Sequence, residues 1–107
     1  MATRSLDRTD WNDYFDTFSK DRIEGGDVGK AHVRVLSEEN GDQVLADWLP
    51  LHGLTYDPKD DLFEVAMEGM DHLVNNPTEI HVKDDGDLPS FEVVRKDGDR
   101  EVIELKK

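Results

Sequence analysis

Cysteine is absent from the 107 residues. That removes disulfide staples, thiol nucleophiles and every zinc or iron–sulfur site built on thiolates. No apolar run approaches the ~18 residues of a membrane span, and residues 1–7 are polar, with no apolar stretch of the kind a secretory signal needs. A cytoplasmic location is the expectation. Basic residues are scarce: 13 Lys and Arg stand against 26 Asp and Glu, a formal net charge of −13. Such a charge repels phosphate backbones and anionic lipid surfaces, so neither nucleic acid nor membrane is an expected partner. Asp outnumbers Glu 17 to 9 and Lys numbers only 7. This balance suits solubility first, and adaptation to high salt second, since salt screens self-repulsion over a few ångströms.

Catalytic and cofactor motifs are missing too. The serines Ser5, Ser19, Ser37 and Ser90 have no nucleophile elbow around them. The glycine-rich stretch at 25–29 lacks both the lysine and the preceding strand of a phosphate loop. Of the four histidines, His32, His52, His72 and His81, no two show HxH or HxxxH spacing. The acidic turns at Asp57, Asp60 and Asp61 and at Asp84, Asp85 and Asp87 lack the alternating ligands and distal Glu of an EF-hand. Neither a metal nor another cofactor is expected, and the preferred reading is non-enzymatic.

Hydrophobic and charged residues each make up 36% of the chain, so the core must be compact and the surface heavily charged. At this length a single domain over residues 1–107 is expected, with 1–5 disordered, a helix over 6–20 and a β-rich body over 30–106. Trp11, Tyr14, Phe15 and Phe18 fall at i, i+3, i+4 and i+7, one face of a helix. Asp7 suits its N-cap, and Leu6 with Trp11 the hydrophobic staple. Gly25, Gly26 and Gly29 then end it.

From Lys30 the period becomes two. Ala31, Val33 and Val35 alternate with His32 and Arg34. Asn40-Gly41 predicts a type I′ hairpin leading to a strand over 43–49, with Val44, Ala46 and Trp48 on one face. Pro50 signals a strand end, an edge or a bulge. A second hairpin pairs 51–56 with 62–67 around Asp57-Pro58-Lys59-Asp60, a type I turn, and Gly53 marks a bend or bulge within it. Residues 69–77 read as a single helical turn or ordered loop. A strand over 79–83 and a last hairpin of 91–95 with 101–106 around Asp97-Gly98, again a type I′ signal, complete the chain. Local hairpins favour antiparallel pairing. The fold class is therefore α+β, mainly β, with the aromatic helix packed on a small bent antiparallel sheet or partly open barrel of about six strands.

The central run Trp48-Leu49-Pro50-Leu51-x-Gly53-x-x-Tyr56-Asp57-Pro58-Lys59-Asp60-Asp61 is followed by Glu64-Val65, Glu68-Gly69, Asp71-His72-Leu73, Pro77, Glu79-Ile80 and Val82. With Leu6-Asp7-Arg8, Trp11, Tyr14 and Phe15, it resembles a family of small bacterial and archaeal proteins of unknown function. The likeness covers nearly the whole chain apart from 25–29, and it implies a domain with no assigned activity.

Three readings follow. The first is a non-catalytic binding or protein-interaction module, its partner another protein or a second copy of the chain, with Trp48, Pro50, His52, Tyr56, Asp71 and His72 as the candidate surface. The second is a small metal-assisted hydrolase using Asp71-His72 with the Asp57–Asp61 turn. The third, a nucleic-acid-binding barrel like the Sm proteins, needs a patch of Arg34, Arg95, Arg100 and the terminal lysines. The salt reading is tested by thermal melts from low to molar NaCl. It expects Tm to rise with salt, and a flat profile overturns it.

Overall fold

The computed structural model describes residues 2–84 and 86–107; Met1 and Asp85, the latter within the acidic turn at 84–87, lie outside it. The chain runs β1 (Ala2–Ser5), a 3₁₀ turn (Arg8–Asp10), α1 (Trp11–Phe18), a π-helical turn (Ser19–Ile23), then β2 (Lys30–Ser37), β3 (Gly41–Asp57), β4 (Leu62–Met67), β5 (Met70–Asn75), β6 (Glu79–Asp84), β7 (Ser90–Val94) and β8 (Arg100–Lys106). All eight strands form one antiparallel sheet in the order β1-β6-β7-β8-β2-β3-β4-β5. The α+β, mainly β class holds, and the strand number rises from about six to eight. Among the described residues no helix is long and apolar enough to cross a membrane.

β5 ends one side of this order and β6 lies next to the other end, yet only residues 76–78 connect them. A connection that short spans at most ~14 Å even when extended, so the sheet curls until its two ends approach. It stays open, because no strand pairing joins β5 to β1 among the described residues. α1 fills the concave side. Trp11, Phe15 and Phe18 are buried, and the Phe15 ring meets Phe63 of β4 at 5.0 Å and Phe91 of β7 at 5.2 Å, both edge-on. One aromatic side chain thus ties the two halves of the curl, in a geometry that adds to plain area burial.

The curl originates in β3, a single 17-residue strand where two were expected. Its first part pairs with β2 as far as Pro50, and its second part pairs with β4 from Leu51. Proline is tolerated there because this is the point at which the strand changes partner. The Leu51 N–H instead donates to Gly29 O at 2.9 Å. Register shifts flank this point: one between Val33 and Arg34, a second between Ala31 and Val33, a third between Leu51 and Gly53. The expected bend at Gly53 is therefore present. The first shift overturns the shared face of Val44 and Ala46: Val44 pairs with the outward Arg34 and is 59% exposed, whereas Ala46 pairs with the inward Val33 and is buried. A bulge adds one residue and so flips the alternation.

Other expectations change for equally local reasons. Residues 2–5, expected to be disordered, form a strand on β6. The segment after Gly69 is strand β5 and not a helical turn: Val74 is buried and Met70 and His72 are half-buried, while Asp71, Leu73 and Asn75 are exposed. The period is two, which a short 3.6-residue match at Met70, Leu73 and Val74 conceals. In neither type I′ candidate does the residue before glycine adopt positive φ; Gly41 (φ 72°) and Gly98 (φ 92°) do so alone. Both hairpins therefore use longer loops ending in a left-handed glycine. The helical region extends past Lys20 through the π-turn to Ile23. Gly25 follows because a Cβ there would lie 2.2 Å from Asp21 O.

Where β3 has left β2, its free side needs hydrogen-bond partners, and the helix supplies them. Ser19 Oγ donates to Leu54 O at 2.6 Å and accepts from Leu54 N at 3.0 Å, both buried. Ser19→Ala leaves two buried backbone groups unpaired, and urea denaturation is expected to register a loss of about 2–3 kcal/mol. An unchanged midpoint would mean that another group takes over the β3 edge.

Candidate functional site

The six residues singled out from the sequence are dispersed by the fold. Tyr56 is 4% exposed and belongs to a clamp that closes the curl. Its hydroxyl donates to Asp61 Oδ1 at 2.6 Å. Arg8 donates to Tyr56 Oη at 3.0 Å, to Asp61 Oδ1 at 3.1 Å and to Pro77 O at 2.9 Å. The Arg8 guanidinium also lies 4.6 Å from the Trp11 ring, and Trp11 meets Tyr56 edge-on at 5.0 Å. One arginine thus joins the start of the helix, the β3–β4 turn and the β5–β6 connection. Asp7, expected to cap the helix, caps instead the 3₁₀ turn that leads into it: its Oδ1 accepts from Thr9 N at 3.1 Å, which holds its carboxyl below the usual range. Asp10, at the N-cap of α1, makes no side-chain cap bond.

Asp71 and His72 point to opposite faces of β5, as successive strand residues must. Asp71 is exposed, whereas His72 Nε2 contacts Glu101 Oε1 of β8. Glu101 is 2% exposed, and Arg95 Nη1 lies 3.6 Å from its other oxygen. The carboxylate that meets His72 is therefore neither Asp71 nor one of the 57–61 turn, and a histidine–glutamate–arginine contact joins edge strand β5 across the curl to β8, in the middle of the sheet order. Sequence spacing carried no signal for this contact, since 29 residues separate the pair. Among the described residues no three His, Asp or Glu side chains converge closely enough to hold a metal ion. His52 is exposed at the β3 bulge, and Pro50 is half-buried where β3 changes partner.

Trp48 stands apart. It is a bulky residue with φ 56°, a left-handed backbone that costs of order 1–3 kcal/mol. Its ring lies 5.3 Å from His32 and 4.4 Å from Lys106 Nζ, on the face of the sheet turned away from α1. That outer face continues across the strands. Arg34 lies opposite Val44 of β3 and Val102 of β8; Val102 faces Glu92 of β7, and Glu92 faces His81 of β6. Side chains on this face border a groove of about 680 Å³. Among the described residues its lining holds three cations, Arg34, Lys83 and Arg100, and three carboxylates, Glu79, Glu92 and Glu104. The groove is therefore close to neutral on a chain of net charge −13.

Two buried nitrogens on this face, His32 Nδ1 and Arg34 Nε, have no hydrogen-bond partner among the described residues. The nearest acid to His32 Nδ1 is Glu104, at 3.8 Å, beyond hydrogen-bond distance. Each unmatched buried polar group costs about 1–3 kcal/mol. A second groove, about 480 Å³ between α1 and β1, has Tyr14 and Phe18 on its floor and Arg4 and Arg22 at its sides. Both of these arginines are matched, Arg4 to Asp84 at 3.4 Å and Arg22 to Asp27 at 2.9 Å.

The model of a family of unknown function, DUF5335, matches residues 2–107. The chain belongs to that family. A relative from Aquifex aeolicus (strain VF5), described as an uncharacterized protein, is 41% identical over 108 residues, covering 99% of this chain and 94% of the relative. No solved structure matches.

The clamp makes a pH prediction for this DUF5335 chain. Hydrogen bonding from Tyr56, reinforced by Arg8, holds the Asp61 carboxyl below its ordinary 3.8. Burial, then the Asp61 carboxylate, pushes the Tyr56 phenol above its ordinary 10.0. The Asp61 contribution is present above pH 3.8 and is lost as pH falls through its lower folded value. The Tyr56 contribution is present below pH 10 and is lost as pH rises through its higher folded value. Urea midpoints plotted against pH are expected to fall on both limbs. Asp61→Asn should flatten the acid limb, and Tyr56→Phe the alkaline limb, with a loss of about 1 kcal/mol at neutral pH. Limbs unchanged in both variants would remove the clamp from the stability of the fold.

Proposed function

We propose that this protein is a non-catalytic binding module whose contact face is the outer, helix-free face of the sheet around Arg34. The unmatched Arg34 Nε in a groove of about 680 Å³ carries this reading. A buried donor without an acceptor is uncommon in a finished structure and points to a partner that supplies one. The strained Trp48 backbone on the same face supports it, because such strain clusters where binding surfaces are built.

The candidate surface around Trp48, Pro50 and Tyr56 has less support, because its neighbours offer little exposed apolar area. Leu51 and Leu54 are buried, and Leu49 and Met70 pack half-buried on the core. The hydrolase alternative draws little from the geometry, since Asp71 faces away from His72 and Asp61 is engaged by Arg8 and Tyr56. For a nucleic-acid-binding barrel, Arg34 and Arg100 do share the groove, but three glutamates interleave with its cations, and Arg95 turns to Glu101 and Asp97. A cytoplasmic location and salt adaptation belong to the same proposal, resting on the lack of cysteine and the 26 acidic residues.

A mixed small-molecule and peptide library screened by amide chemical shifts on the full chain tests the reading. Perturbations are expected at Arg34, Ser90, Val102 and Glu104. Hits confined to the groove between α1 and β1, or shifts that report only self-association through another face, would overturn it.

A further inference from the structure

The chain has six arginines and twice as many acids as bases. Five of the six hold a carboxylate: Arg4 with Asp84, Arg8 with Asp61, Arg22 with Asp27, Arg95 with Asp97, and Arg100 with Glu92. Among the described residues, Arg34 alone makes no such pair. In a sequence so rich in Asp and Glu, an arginine left without an acid calls for a specific account. Its neighbours explain how it stays free. Glu92 is taken by Arg100, Glu104 lies nearest His32, and directly across the strands Arg34 faces only Val44 and Val102.

We propose that Arg34 is the anchor of an oxyanion subsite, at which a small molecule carrying a phosphate or carboxylate group binds in the outer groove. This rests on the binding-module reading and names the chemistry of its ligand. A guanidinium presents a planar fork of donors that matches two oxygens of one anion, a geometry lysine cannot reproduce. The Ser90 and Thr3 side chains also line the groove and offer hydroxyl donors. The local balance of charge matters equally. A surface carrying the average charge of this chain repels anions, whereas the groove sets three cations against three carboxylates, and Arg100 already occupies one of them. A ligand anion placed at Arg34 therefore meets a cation whose field no carboxylate of its own cancels. The dimensions suit a metabolite-sized molecule and not a polymer backbone, since small-ligand sites commonly span about 300–1,000 Å³.

The test follows the Arg34 Nε–Hε resonance of the full chain while sodium phosphate, and separately sodium acetate, is added at constant ionic strength against chloride. A saturable shift at Arg34 with at least one of the two anions is expected, and saturation by phosphate alone narrows the class to phosphate. Arg34→Gln should abolish saturation at the Val102 and Ser90 amides, and Arg34→Lys should weaken it about tenfold, with both spectra otherwise retained. If either variant fails to fold, the wild-type titration still decides. A linear response equal to that of chloride, or shifts centred on Arg4 and Arg22, overturns the proposal. Library hits on the outer face that lack any acidic group would overturn the oxyanion subsite while leaving the binding module standing. Absence of any perturbation on that face would remove both.

Discussion

The change of partner along β3 is the constraint on which the rest of the molecule depends. A strand that pairs with β2 up to Pro50 and with β4 from Leu51 cannot lie in a flat sheet, because its hydrogen-bonding directions must turn between the two partners. The register shifts on either side of Pro50 supply the turn, and bulges bend strands in this way. Once the sheet curls, its concave side is narrow enough for a helix of two turns to fill, and Phe15 reaches β4 and β7 at once. The free edge of β3 that this creates is closed by Ser19. The Arg8 clamp and the His72–Glu101 contact then hold the ends of the curl.

The same bend separates the two faces of the sheet by chemistry. The concave face collects nearly all the large apolar side chains, including Phe63, Phe91, Ile80 and Ile103. The convex side of β3 and its neighbours is left with alternating charges, and the flip at Val44 brings an apolar residue among them. With 36% of the residues hydrophobic, one face is all this chain is able to cover. The outer face is uncovered as a consequence of composition, whereas the unmatched Arg34 on it is a particular feature that composition does not require.

The relation to a protein of Aquifex aeolicus at 41% identity supports a shared fold along the whole chain but brings no activity with it, since fold and function are separable. The functional argument therefore stands on side-chain chemistry. The buried Glu101 has found His72 and Arg95, as a buried charge must. The outer face has not reached the same closure, and this difference directs attention there and away from His72.

Local rules in the amino-acid sequence determined much of this protein. The i, i+3, i+4, i+7 aromatic stripe made α1, the alternation of Ala31, Val33 and Val35 made β2, and Asp57-Pro58 made the turn into β4, because each depends on neighbours within a few residues. β5 was hidden because a six-residue strand can mimic a helical period, and β1 because a polar tetrapeptide becomes a strand only when β6 offers its edge. The face of Val44 depended on a bulge in pairing that no single segment encodes. The clamp of Arg8, Tyr56 and Asp61 and the contact of His72 with Glu101 join residues 48 or more and 29 positions apart where they bridge the curl. Only the closure of the sheet brings them together. Tertiary structure likewise decided that Arg34, one of six similar arginines in the chain, would be the one without an acid, since that depends on which side chains the curled strands set opposite it.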